Sequence, residues 1–234
     1  MDPRHLFMDS RLTGMCVYCG DRPATRDHVP SKVLLDEPYP AELPVVGACT
    51  ECNSSFSLDE QYLACFVECV ICGAVEPEDV KRDKVARILT ENPALQKRIQ
   101  AAADTDLWDN LIWTPEMDRV RKVVLKLARG HAAYELYPVL AKPTELGVLP
   151  IASMSEEERD SFETSPVEHG VALWPEIGSR AFLRTVGKAP DPFGGLDGWV
   201  VVQPGRYRYS VVETGGILVR MVLSEYLACL ASWE

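Results

Sequence analysis

The chain has 234 residues, 47% of them hydrophobic and 25% charged, and carries a formal net charge of −11. That composition suits a globular protein of one large or two small domains, and no apolar run reaches the length of a membrane span. Eight cysteines follow a start, Met-Asp-Pro-Arg-His, without a signal-peptide pattern; together they predict a reducing, cytoplasmic setting in which cysteines bind metal rather than pair as disulfides.

Residues 1–14 read as a loose polar arm. Cys16-Val-Tyr-Cys19-Gly20 has the form of a zinc knuckle, with Gly20 free to take the left-handed turn. Asp27-His28-Val29 is predicted as a short strand stopped by Pro30, which has no backbone donor. Pro38, Pro40 and Pro44 exclude a helix between Leu34 and Val46 and leave an extended loop that enters a strand at Val45-Val46. From Asn53 to Cys72 the pattern is one helix with a broad apolar face, ended by Gly73. A second helix is predicted from Glu76 to about Thr90, and a third over 94–103. A fourth spans 115–130, turning Val120, Val123, Val124 and Leu127 inward and Arg119, Arg121, Lys122, Lys126 and Arg129 outward, with Gly130 as its cap.

After residue 138 the apolar runs shorten to strand length. Trp199–Gln203, Tyr207–Val212, Ile217–Leu223 and Tyr226–Trp233 read as antiparallel strands, with a hairpin turn at Glu213-Thr-Gly-Gly216 and an acidic helix start at Glu156. The fold class expected is α+β: a zinc-stabilised module over 1–75, a helical segment over 76–137 and an antiparallel β-rich domain over 138–234.

Two C-x-x-C pairs, Cys16/Cys19 and Cys49/Cys52, supply the four thiolates of a closed tetrahedral zinc site. Cys65, Cys69, Cys72 and Cys229 lie in apolar patterns and read as core; a second zinc on Cys65, Cys69 and Cys72, which share a helix face, is the lesser alternative. His28 has the right unperturbed pKa to take a proton from water, but a turn residue would look the same. Asn53 reads equally as a helix N-cap. Glu60, two turns further along that helix, is either a neighbour of the same site or a solvated side chain. His5, His131 and His169 have no metal-ligand spacing and read as structural or surface groups. The aromatic residues Trp199, Tyr207, Tyr209, Tyr226 and Trp233 read as core rather than as a base-stacking platform.

The order C-x-x-C, Asp-His-Val-Pro turn, C-x-x-C-Asn resembles the HNH endonuclease family of zinc-ribbon type, over roughly the first quarter of the chain. The resemblance implies a ββα-metal finger. It further implies that Asp27 and Asn53 hold a catalytic Mg²⁺ or Mn²⁺ and that His28 is the general base of phosphodiester hydrolysis, with nucleic acid, DNA in the first instance, as substrate. Pro44 stands where family members carry an Asn, and Phe56 where many carry Lys or His. The alternative is a catalytically degenerate zinc module that binds a protein or a nucleic acid. Charge bears on this choice. Residues 81–130 carry eleven Lys/Arg against seven Asp/Glu within an otherwise acidic chain, and the helix over 115–130 is either a phosphate-contacting track or a solvated face.

Overall fold

The computed structural model describes residues 14–41, 43–164, 198–213 and 215–234. The N-terminal arm, His5, His169 and the second residue of the 213–216 turn lie outside the described residues. The protein is α+β: five helices, a five-stranded antiparallel sheet and two small hairpins among the described residues.

β1 (Thr25–His28) and β2 (Val45–Ala48) form the first hairpin, with Asp27 opposite Val46 and His28 opposite Val45. The long helix α1 (Thr50–Cys72) follows at once and ends where Gly73 takes φ 67° as a left-handed cap. Its start differs from the sequence expectation. The N-cap is Cys49, whose Sγ accepts the Cys52 N–H, so Asn53 lies inside the first turn and not at the cap. The sulfur takes the role that a Ser or Asp oxygen usually fills.

The predicted second helix divides into a 3-10 turn (Pro77–Asp79) and α2 (Asp83–Glu91). α3 (Pro93–Gln100) follows, capped by the Asn92 side chain on Leu95 N–H, and stops short of Ala103. A hairpin absent from the sequence reading comes next, β3 (Ala103–Thr105) with β4 (Leu111–Trp113). These strands are three residues long, too short to show a period-2 pattern.

α4 (Met117–Glu135) runs five residues past Gly130. Gly130 is therefore not a cap. A Cβ built there would lie 2.6 Å from Cγ2 of Val29, so the glycine is what lets α4 lie against the first hairpin. On its other side α4 packs on the sheet β5–β9–β8–β7–β6, made of β5 (Glu145–Pro150), β6 (Val200–Gln203), β7 (Tyr207–Glu213), β8 (Ile217–Leu223) and β9 (Leu227–Trp233). α5 (Glu156–Glu163), opened by a Ser155/Glu158 capping box, brings Phe162 to Trp199, Val222 and Ala228 in a second apolar cluster.

One continuous cluster of buried residues reaches from Cys16 in the first knuckle to Trp233 in the last strand. Trp199, Tyr207, Tyr209 and Trp233 are all buried in these cores, as expected. No helix among the described residues is long and apolar enough to cross a membrane.

Candidate metal centre and its neighbouring ion cluster

The first C-x-x-C knuckle is closed by backbone bonds. Gly20 N–H donates to Cys16 O at 2.8 Å, Cys16 N–H to Asp21 O at 2.7 Å, and Val17 N–H to Gly47 O at 3.0 Å, which ties the loop to β2. Gly20 sits at φ 86°, the conformation expected of it. The second pair straddles the end of β2 and the first turn of α1. The ligand atoms of Cys16, Cys19, Cys49 and Cys52 consequently all lie within 4.8 Å of one another, with Cys19 and Cys49 Sγ 3.7 Å apart.

A tetrahedron of sulfurs about 2.3 Å from a zinc ion has edges of roughly 3.8 Å, so four thiolates at this spacing could hold a structural metal such as zinc. Crowding shows in their acidities. Burial works to raise Cys16, but N–H groups of Cys49, Tyr18 and Cys19 aimed at its sulfur bring it down to about 7. An Asp21 N–H favours the Cys19 thiolate, yet burial and its sulfur neighbours push Cys19 up to about 11. One negative sulfur thus suppresses the next until a cation replaces their protons. Among the described residues this is the one such metal-ligand group. Cys65 and Cys69 are buried thiols pushed up to about 12 by burial, the signature of core cysteines.

Along the same hairpin the structure builds a second polar cluster, and of the three predicted catalytic residues it takes in only Asp27. Asp27 is 7% exposed and turned toward α4. Its Oδ2 accepts from Tyr18 OH at 2.7 Å and faces Lys126 Nζ at 2.7 Å. Lys126, expected to point outward, is 2% exposed. Its three N–H directions go to Asp27, to Glu60 and to Ser31 Oγ, the last at 2.8 Å. Ser31 in turn donates to Glu60. The rings of Tyr18 and Phe56, 5.8 and 5.7 Å from the ammonium, cover it.

Asn53 packs beside this cluster without joining it. Thr25 Oγ1 donates its one proton to Ala48 O at 3.0 Å, so Asn53 must present its amide NH₂ to that oxygen, at 3.1 Å. Thr25 and Asp27 share a face of β1, two residues apart, while His28 alternates to the other face. His28 is half-buried and its ring makes no hydrogen bond to the described residues. Pro44 O, the carbonyl nearest in register, is taken by Val29 N–H at 2.9 Å. Burial, and then the charge of Lys32, hold His28 below the usual histidine pKa.

Asp27 Oδ2 is taken by Tyr18 OH and Lys126 Nζ, and Asn53 turns its amide NH₂ to Thr25. The bridging position between the carboxylates of Asp27 and Glu60 is held by an ammonium with all three donors used. Mg²⁺ keeps several of its waters when bound, whereas Asp27 lies under Tyr18 and Lys126, almost wholly out of solvent.

The basic face of α4 is committed elsewhere too. Arg119 and Lys122 each reach Asp59 at 2.8 Å. Arg129 donates to the carbonyls of Tyr18, Leu140 and Ala141 and pins the knuckle to the chain after α4. Sequence reasoning missed Lys126 as part of the site. A signal existed: Lys126 stands three residues after Val123 and four before Gly130, on the seam where the helix comes closest to the hairpin.

The chain matches no family model, no curated protein and no solved structure. Its function is therefore argued from the geometry.

Proposed function

We propose that this chain is an HNH-like module stapled by one zinc on Cys16, Cys19, Cys49 and Cys52, retained as a binding domain and not as a metal-dependent nuclease. The observation that carries this reading is Lys126, whose ammonium supplies from within the chain the cation that Asp27 would otherwise take from solution. With Arg119, Lys122, Lys126 and Arg129 on internal partners, Arg121 is the one cation of the five that is exposed without an ion pair among the described residues, too little for a phosphate track in an acidic chain.

The partner favoured is a protein. The β3–β4 hairpin ends in Leu107 and Trp108, 95% and 78% exposed. Its tip is fixed by Asp106, whose carboxylate accepts the N–H groups of Trp108 and Asn110 and the Asn110 amide at 2.8–2.9 Å. A Trp presented without internal cover on a fixed turn is the kind of anchor that dominates protein interfaces. Asp104, Asp106 and Asp109 surround it, so the matching surface is an apolar pocket with basic edges.

A nuclease is the second reading, and His28 favours it: partly exposed, without a hydrogen bond to the described residues and held below the usual histidine pKa, it meets the requirements of a general base. The two readings part in one assay. Zinc-loaded protein is incubated with plasmid DNA and with RNA in Mg²⁺ and in Mn²⁺, beside a His28→Ala variant. The binding-module reading expects no cleavage above the variant's background. Cleavage by the wild type that disappears in His28→Ala overturns it.

A further inference from the structure

Away from both clusters, the loop after the first 3-10 turn (Lys32–Leu34), the start of α2 and the β6–β7 turn enclose a cleft of about 410 Å³. Five cations line it: Lys81, Arg82, Lys84, Arg87 and Arg206. In a chain of net charge −11 this concentration is local and directional. Three carboxylates, Asp36, Glu37 and Asp83, also line the cleft, which leaves a surplus of two positive charges.

The cations differ in how they are held. Arg82 is 5% exposed, and its Nε donates to Asp36 at 2.6 Å while its Nη2 donates to the carbonyls of Val33 and Leu35. Arg206 donates through Nε to the other oxygen of Asp36 and through Nη1 to Glu68 at 3.4 Å. Asp36 is itself clamped: Gln203 accepts its N–H at 2.8 Å and donates to its carbonyl at 3.0 Å. Two guanidinium planes are thus locked by one carboxylate, with Nη1 of Arg82 and Nη2 of Arg206 donating to nothing among the described residues. Lys84 is anchored on the carbonyls of Lys32 and Leu35 at 2.9 and 3.0 Å. Lys81 and Arg87 are exposed at the mouth and make no ion pair among the described residues. The first turn of α2 opens here without a side-chain cap, which adds its unpaired N–H groups to the field.

We propose that this cleft binds the phosphate of a small phosphomonoester. Preset guanidinium groups suit a tetrahedral dianion, because each keeps one amino nitrogen free to donate to a phosphate oxygen from a fixed position. The volume lies in the range of small-ligand pockets and admits a sugar phosphate or a mononucleotide. The carboxylates in the lining disfavour a long polyanion, whose neighbouring phosphates would meet Glu37 and Asp83. The inference does not rest on the binding-module reading, since it shares no residue with the zinc or Lys126 clusters.

The test is calorimetric titration of the zinc-loaded full chain with inorganic phosphate, with ribose 5-phosphate and with a DNA oligonucleotide lacking a terminal phosphate. Saturable binding of phosphate and tighter binding of ribose 5-phosphate are expected. Lys81→Gln/Arg87→Gln, which removes side chains with no internal partner and so preserves the fold, should weaken both about tenfold at an unchanged melting temperature. Arg206→Gln should weaken them as well. No saturable phosphate or ribose 5-phosphate binding overturns the proposal, as does equal affinity in the Lys81/Arg87 double variant. Tighter binding of the oligonucleotide than of ribose 5-phosphate overturns the phosphomonoester assignment.

Discussion

The β1–β2 hairpin and α1 carry two anionic clusters a few residues apart, and the two are completed in different ways. At one end four sulfurs converge with no cation of the chain among them, a group that could hold a metal from solution. At the other, two carboxylates converge on an ammonium that the chain sends in from α4. The frame is the same, the source of positive charge is not, and the proposed binding-module reading rests on that difference. Breaking each cluster should therefore give different losses.

The largest effect belongs to the sulfurs. Cys49→Ser should abolish zinc in metal analysis and unfold the knuckle and first hairpin, since structural zinc supplies about 10–16 kcal/mol in small zinc-finger peptides. Cys229→Ser, buried in the sheet, should leave zinc content unchanged. Equal zinc in Cys49→Ser would remove the tetrahedral group from the account.

Next comes the ion cluster. Lys126→Ala leaves Asp27 and Glu60 facing each other without a cation, and urea denaturation should show a loss of about 3–5 kcal/mol. Adding Glu60→Gln to Lys126→Ala should restore part of that loss, because one buried carboxylate no longer repels the other. A cost below 1 kcal/mol for Lys126→Ala, the usual figure for a surface pair, would mean the ammonium is solvated.

A smaller effect is steric. Gly130→Ala should cost about 1–3 kcal/mol through the clash with Val29. In a double-mutant cycle Val29→Ala should absorb most of it, and strict additivity would place the contact elsewhere.

The hairpin and both knuckles were legible because their residues speak locally: paired cysteines, a glycine that must take positive φ, prolines that forbid helix. The four strands after residue 198 were legible from their alternation and turn glycines, whereas β5 (Glu145–Pro150) was not anticipated. What failed was long-range. Gly130 looked like a cap because a glycine after a helical pattern usually is one, and only the position of Val29 reveals its use. Lys126 looked like one more cation on a solvated face, since nothing within its own helix names Asp27, about a hundred positions upstream, or Glu60, 66 positions upstream. β3 and β4 were too short to announce themselves. In the candidate site, the sequence identified Asp27, His28 and Asn53 as neighbours but not which of them the fold would occupy internally.

The mildest prediction concerns pH. His131 is fully buried, stacked on Tyr209 with ring centroids 3.7 Å apart and bonded through Nε2 to Tyr207 OH at 2.8 Å. Burial, and then the charge of Lys126, hold its pKa well below the ordinary value. The unfolded chain takes up a proton near pH 6.5 that the folded chain refuses, so the stability contributed by neutral His131 is complete above that pH and falls below it. The slope attributable to this residue is at most about 1.4 kcal/mol per pH unit. His131→Phe should flatten the stability profile between pH 6.5 and 5, windows set by the unfolded histidine. An unchanged slope would assign the acid sensitivity to other groups.

The central claim is that Lys126 is the cation of the Asp27–Glu60 cluster, and Mn²⁺ binding tests it most directly. Titrating Mn²⁺ into the zinc-loaded protein and following its free signal by electron paramagnetic resonance should show no stoichiometric site. One Mn²⁺ bound per chain in the wild type, and lost in Asp27→Asn and in Asn53→Ala, would contradict the account and restore the catalytic metal.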